Sequence, residues 1–156
     1  MIVRNVKSED HAVLSPLIDD WWGGREMAGL LPRLFFDHFQ DTSIVVEKDG
    51  LIRGFLIGFL SQSNQKEAYI HFVGVDPAYR KQQLGSTLYY TFFEKAMEKG
   101  CTVVRAVTSP VNTTSIAYHT KMGFDIQEGD AVLDGVPVKL DYDGPGNHRV
   151  LFEKKL

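Results

Sequence analysis

The chain has 156 residues, enough for one domain with a single core that buries roughly two-thirds of the unfolded surface. Apolar residues make up 44% and charged residues 24%, a globular mixture that excludes disorder, and a net charge of −3 lacks the basic footprint that nucleic-acid phosphates demand. The single cysteine, Cys101, excludes an internal disulfide and a cysteine-rich metal site, and the longest apolar stretch, GFLIGFL at 54–60, falls far short of the roughly 20 residues that span a bilayer.

The opening MIVRNVKSED turns polar too soon for a secretory signal, so the expected location is the cytoplasm. NTT at 112–114 then matches a glycosylation sequon only by chance. IVRNV (2–6) reads as a first strand. Ser8 reads as the N-cap of a helix, with Glu9 and Asp10 in its first turn and Val13, Leu14, Leu17 and Ile18 as its apolar stripe. WWGG (21–24) breaks that helix. LLPRLFFDHF (30–39) predicts a second one, with Pro32 tolerated in its first turn. SIVVEKDGLIRGFLIGFL is a hairpin about Asp49-Gly50. EAYIHFVGV (67–75) is a long strand ended by Pro77. Leu84, Leu88, Phe92 and Ala96 then recur every fourth residue along a helix over 83–99, which Gly100 stops. CTVVRAV (101–107) is a strand, and Asn112 the N-cap of a short helix closed by Gly123. FDIQ (124–127) and RVLFEKKL (149–156) are final strands around a Gly/Asp/Pro-rich excursion, 129–147, whose shape the sequence does not give. Strand 67–75, helix 83–99 and strand 101–107 form a βαβ unit with parallel strands and a right-handed crossover. With the antiparallel hairpin before it, the fold class is α/β, a mixed sheet with helices on its faces.

The helix over 83–99 begins in an unusual way. VDPAYRKQQLGSTL (75–88) sets Arg80 and Lys81 beside the unpaired amides of a helix start, at Gln82, Gln83, Gly85, Ser86 and Thr87. Such amides carry partial positive charge and bind phosphate groups, and Gly85 lets a ligand approach the backbone. The stretch is neither a P-loop nor a dinucleotide fingerprint, and a merely solvated helix start has the same composition.

VGVDPAYRKQQLGSTLYYTFF resembles the acetyl-CoA motif of the GCN5-related N-acetyltransferase (GNAT) superfamily, [QR]-x-x-G-x-[GA], read here from Arg80 to Gly85. NTTSIAYHTKMGF (112–124) is similar to the superfamily's second motif. The order of elements agrees from about residue 2 to 128. The resemblance implies a single N-acetyltransferase domain over 1–156, about seven strands with helices on both faces, and central parallel strands that splay to admit the cofactor arm. It implies acetyl-CoA as cofactor, bound by Val73, Gly74 and Val75 along the arm, by the loop from Arg80 to Thr87, and by Asn112 and Ser115. An N–H near Val73 would face the thioester carbonyl. Gln83 replaces the motif's middle glycine, which is tolerable if φ stays negative there. His119 replaces the tyrosine that many members carry.

The reaction implied is direct acetyl transfer to an amine, which needs a base for the ammonium and an acid for the leaving thiolate. Residues 69, 71, 73 and 75 share one face of a regular strand, so His71 is a candidate base beside the thioester. Tyr69 and His71 stand where the similar arylalkylamine acetyltransferases carry a His-x-His pair. His119 and Tyr118 are both candidate acids, about 100° apart on a helix, so at most one faces the sulfur. Cys101 reads as a structural thiol. The histidines show no metal-ligand spacing, so no metal is expected. Trp21, Trp22 and Arg25 in DDWWGGREM (19–27), together with Tyr69, are candidate acceptor contacts. DYDGPGNHR (141–149) is a possible border, and Asp19 or Asp20 a possible cation site. The acceptor expected is a small or amino-acid-like amine. A peptide or protein amine, O-acetyl transfer, and a non-catalytic acyl-CoA sensor are the alternatives. No membrane or nucleic-acid partner is expected; a homodimer is possible.

Overall fold

The computed structural model describes residues 1–156. The chain runs β1 (Ile2–Asn5), α1 (Asp10–Trp21), α2 (Leu34–His38), β2 (Ile44–Lys48), β3 (Leu51–Leu60), β4 (Glu67–Val75), α3 (Leu84–Glu98), β5 (Val103–Thr108), α4 (Thr113–Lys121), β6 (Asp125–Ile126), β7 (Ala131–Leu133), β8 (Val136–Val138) and β9 (Val150–Lys155), with 3-10 turns at Ala28–Leu30 and Pro77–Gln82. Seven strands form one sheet in the order β1-β2-β3-β4-β5-β9-β6, and β7-β8 is a separate hairpin. Only β4 and β5 pair in parallel. One core lies under α3, with Leu84, Leu88, Phe92 and Ala96 all buried, as their spacing predicts. A second core lies under α1 on the other face, around Leu14, Ile18, Trp21 and Phe55. No helix is long and apolar enough to cross a membrane.

The hairpin at Asp49-Gly50 is present, with both residues at positive φ (55° and 79°) as a two-residue turn requires. Two local readings are corrected. Ser8 does not cap α1. Glu9 holds the N-cap position with no side-chain bond, and the buried Asp10 carboxylate instead ties down the chain ahead of the helix, accepting the Lys7 N–H at 2.7 Å and pairing with Arg4 at 2.9 Å. The helix expected over 30–39 shrinks to Leu34–His38. Pro32 lies before it, and the preceding residues form only the 3-10 turn. The excursion at 129–147 holds the β7-β8 hairpin, turned by Asp134-Gly135 (φ 50° and 79°), the same dipeptide signal as the first hairpin.

The decisive irregularity lies in β4. Ile57 pairs with Phe72 but Gly58 pairs with Ile70, so His71 is an extra residue bulged out of the ladder. Parallel pairing with β5 covers only Glu67–Ile70 and stops at the same point. The bulge also flips the alternation. Ala68 and Ile70 belong to the core under α3, Phe72 belongs to the core under α1, and Val73 and Val75 pack back toward α3. Residues 69, 71, 73 and 75 therefore do not share one face. Gly58 makes the bulge possible: a Cβ there would lie 2.4 Å from the Phe92 ring and 2.9 Å from the Tyr69 carbonyl oxygen. The backbone groups of Gly58 bond the buried hydroxyls of Thr42 and Ser43.

Candidate functional site

Beyond the bulge, β4 and β5 part. The Asp76 N–H bonds the Arg53 carbonyl across β3, and strand residues alternate the edge to which they turn their backbone groups. Gly74 therefore faces β3, where its register partner is Phe55, while Val73 and Val75 turn N–H and C=O toward β5, beyond the last paired residues. Of the three expected backbone contacts, Val73 and Val75 reach the gap and Gly74 does not. Gly74 instead makes room for packing: a Cβ would lie 2.6 Å from Phe55 and 2.7 Å from Trp22.

The loop leading to α3 stands over the mouth of this gap. Asp76 caps it through the Ala78 N–H at 3.0 Å and pairs with Arg53 at 3.1 Å; the Tyr79 hydroxyl donates to Asp49 at 2.9 Å, and Lys48 donates to Gln82. The β2-β3 hairpin thus braces it. The N–H groups of Gln83, Leu84, Gly85 and Ser86 have no acceptor in the chain, whereas that of Thr87 is taken by the Gln83 carbonyl at 3.1 Å. Four free amides at the N-terminus of a 15-residue helix are a binding place for an anion. Gln83 adopts φ +62°, so the expectation of a negative φ is corrected. The position is one that glycine fills without strain, and a side chain there costs roughly 1 kcal/mol. Lys81 is exposed beside the amides, but Arg80 donates to the Trp21 carbonyl at 3.2 Å, tying the loop to the end of α1.

The two candidate acids separate. His119 is 6% exposed and turned into the core, stacked on Phe152 at 4.7 Å. Its Nδ1 lies 2.8 Å from the Ser115 carbonyl and its Nε2 3.4 Å from the Tyr89 hydroxyl. Burial holds its pKa below the ordinary 6.5, with the Ser115 bond opposing. Facing the core, it is not aimed at the gap. Tyr118 stacks on Tyr89 at 5.6 Å, and its hydroxyl lies 2.3 Å from where a Gly85 Cβ would be, so it stands at the free amides. Asn112 caps α4 through Oδ1 on the Ser115 N–H at 3.1 Å, which leaves its side-chain amide to donate. The Ser115 hydroxyl faces His119 at 3.2 Å. A surface groove of about 430 Å³ runs along α4 past Thr113, Thr114, Ala117, Tyr118 and Lys121.

His71, the bulged residue, is half-buried. Its Nε2 lies 2.6 Å from the Leu30 carbonyl. A carbonyl only accepts, so Nε2 carries the proton and Nδ1 keeps a lone pair. No buried side-chain nitrogen or oxygen lacks a partner, so Nδ1, which bonds nothing in the chain, is open to solvent. Burial lowers the His71 pKa and the Leu30 bond raises it, the first prevailing. The ring is neutral at pH 7 and able to accept a proton.

On the acceptor side, Trp21 is buried in the core, stacked on Phe55, and does not face the gap. Trp22 is half-buried against Phe72 at 5.0 Å and over Gly74. Arg25 is exposed. The Asp19 carboxylate is spent on the Met27 and Ala28 N–H groups at 2.7 and 2.8 Å, so it is a loop brace rather than a cation site. Tyr69 has its pKa pushed up to about 12, first by burial and then by Tyr142 and Asp143. Phe35, Phe39 and Phe59, which extend the ring row from His71, sit in no recognisable motif and are read from their contacts alone.

The model of the acetyltransferase (GNAT) family matches residues 13–124, which include β4, the anion loop, α3 and α4. The chain is 32% identical over 79 residues to an L-2,4-diaminobutyric acid acetyltransferase of Nocardia farcinica, covering 51% of this chain and 41% of that protein. It is 30% identical over 82 residues to the enzyme of the same name from Virgibacillus pantothenticus, covering 53% and 52%. The chain spans about half the length of the curated relatives it matches. Ard1 from Thermoplasma volcanium superposes with a TM-score of 0.77 at 19% identity, over 99% of this chain and 97% of that one. The diaminobutyrate acetyltransferase EctA from Paenibacillus lautus, solved with L-2,4-diaminobutyric acid and coenzyme A, superposes with a TM-score of 0.68 at 22% identity, over 97% and 92%. At these identities the structural likeness is one of fold.

Proposed function

The chain belongs to the acetyltransferase (GNAT) family, and from that premise we propose that it transfers the acetyl group of acetyl-CoA directly to the primary amine of a small molecule. One observation carries the reading: β4 and β5 part beyond Ile70, and the parted edge leads to four unbonded amides at Gln83–Ser86. A pantetheine arm fits the first and a diphosphate the second. Acetyl-CoA supplies an activated acyl group on a thiol leaving group. The residues do the rest. Val73 and Val75 bond the amide-rich arm, with the Val73 N–H toward the thioester oxygen. The Gln83–Ser86 amides and Lys81 hold the diphosphate, and the Asn112 amide donates to the arm. His71 Nδ1 takes the proton of the incoming ammonium, directly or through a water. The amine nitrogen bonds the acetyl carbon, the C–S bond breaks, the Tyr118 hydroxyl gives the departing thiolate its proton, and the second proton of the acylated nitrogen returns to the Tyr118 oxygen, leaving the neutral amide. The curated relatives, acetyltransferases of a small diamine, support a small-molecule acceptor.

Thiol release from acetyl-CoA, followed over a panel of primary amines with the purified chain, tests the reading. Amine-dependent release with equimolar N-acetyl product is expected. Saturable acetyl-CoA binding with no release for any amine is the result that favours a sensor over an enzyme.

A further inference from the structure

Resting on the transfer reading above, we infer that Thr42 and Ser43 are positioning residues for His71: their hydroxyls pin Gly58 and so hold the bulge that aims the ring. The ladder between β2 and β3 has its last backbone pair at Ile44–Leu56. Two residues on, Gly58 again turns its N–H and C=O to that side. No strand residue meets them there, because the Thr42 N–H goes to the Phe39 carbonyl and the Ser43 carbonyl takes the Val6 N–H. Side chains stand in. The Ser43 hydroxyl accepts the Gly58 N–H and donates to the Gly58 carbonyl, both at 3.2 Å, and the Thr42 hydroxyl donates to the same carbonyl. Thr42 is 6% exposed and Ser43 0%. Without the hydroxyls, a buried N–H and C=O would stand unpaired unless β3 moved.

Gly58 is also where the register of β3 on β4 shifts, and the shift decides where His71 points. Ile70 faces the core under α3, so His71 faces the other way, yet its neighbour Phe72 also lies on that second side, in the core under α1. In an unbulged strand the two would point to opposite faces. Either Phe72 would leave its core, or His71 would lose its seat, where it stacks on Phe35 at 4.2 Å and bonds the Leu30 carbonyl at 2.6 Å. Pinning Gly58 therefore fixes the direction of the Nδ1 lone pair. The His71 pKa answers to burial and to the Leu30 bond, with no charged neighbour acting on it, so it reports the seat directly.

The test compares three variants of the full chain. Thr42→Val keeps the volume and removes the hydroxyl, Thr42→Ser keeps the hydroxyl, and Thr42→Val/Ser43→Ala removes both hydroxyls. Two quantities are read: kcat at pH 7, and the midpoint of the His71 ring titration followed by NMR, with His71→Gln assigning the signal. Thr42→Val should lower kcat by about tenfold, and the double variant by more, while acetyl-CoA affinity in calorimetry stays constant. In both, the His71 midpoint should rise toward 6.5, because a ring that leaves its half-buried seat regains water. Thr42→Ser should keep both kcat and midpoint. A folded double variant with an unmoved His71 midpoint overturns the inference, whatever its kcat. So does a loss in Thr42→Ser as large as that in Thr42→Val. Should the double variant not fold, Thr42→Val alone carries the same test. The titration needs no turnover: an unaltered chain that releases no thiol for any amine would sink the transfer reading, and the midpoint would still decide the positioning role.

Discussion

The two halves of β4 are built from the same kind of sequence and do opposite things. Glu67–Ile70 is hydrogen-bonded on both sides, to β3 and in parallel to β5. Phe72–Val75 keeps its β3 partners and abandons β5. One bulged residue separates a structural strand from one whose open edge can bind a ligand. The two histidines with pKa values lowered by burial repeat the contrast. Each has one ring nitrogen on a backbone carbonyl, but the other nitrogen of His119 faces the Tyr89 hydroxyl inside the core, and that of His71 meets solvent. His119 is a packing residue and His71 a candidate base, because the first is sealed in the core and the second keeps one nitrogen toward solvent.

The contrast breaks most severely at Gly58. Gly58→Val forces a side chain into Phe92 and the Tyr69 carbonyl and should cost about 3 kcal/mol, read by chemical denaturation. A loss below about 1 kcal/mol would mean that the bulge does not depend on this glycine. His71→Gln leaves the bulge but removes the lone pair. It should lower kcat at pH 7 by about 100-fold while acetyl-CoA affinity stays constant. In the unaltered chain the acid limb of kcat/KM should lie below pH 6.5, since burial lowers the His71 pKa; a limb above 6.5 would remove His71 as the base. Gly85→Ala crowds the Tyr118 hydroxyl against the free amides and should weaken acetyl-CoA binding by about tenfold in calorimetry. Pairing it with Tyr118→Phe should restore part of the loss.

Two smaller effects sharpen the picture. His119 and His71 both have folded pKa values below the unfolded 6.5. In the window just below pH 6.5 the unfolded chain binds protons that the folded chain refuses. The stability they contribute is full above 6.5 and is lost as pH falls through their folded values. His119→Gln should flatten part of that slope in denaturation curves measured from pH 7 to pH 5. Smallest is Gln83→Gly, which relieves a left-handed side chain and should raise stability by at most about 1 kcal/mol.

The motifs that local chemistry writes were legible. The Asp49-Gly50 turn, the four-residue stripe of α3, the Asn112 cap and the run of amides before α3 follow from bonds between near neighbours in the chain. Asp134-Gly135 carried the same turn signal in 129–147 and went unread because its strands are only three residues long. Which of Tyr118 and His119 faces inward was not legible, since adjacent helical positions differ only by a rotation that packing against Phe152 and Tyr89 decides.

The sequence by itself determined the elements, their order, the parallel βαβ unit and the anion loop, because periodicity, caps and turn residues act over a few positions. Only the tertiary structure decided that β4 bulges at His71, that Trp21 and His119 turn into the core, and that the His71 ring stacks on Phe35. Those outcomes depend on pairing register and on contacts such as Gly58 with Phe92, between residues far apart in the chain, and no local pattern encodes them.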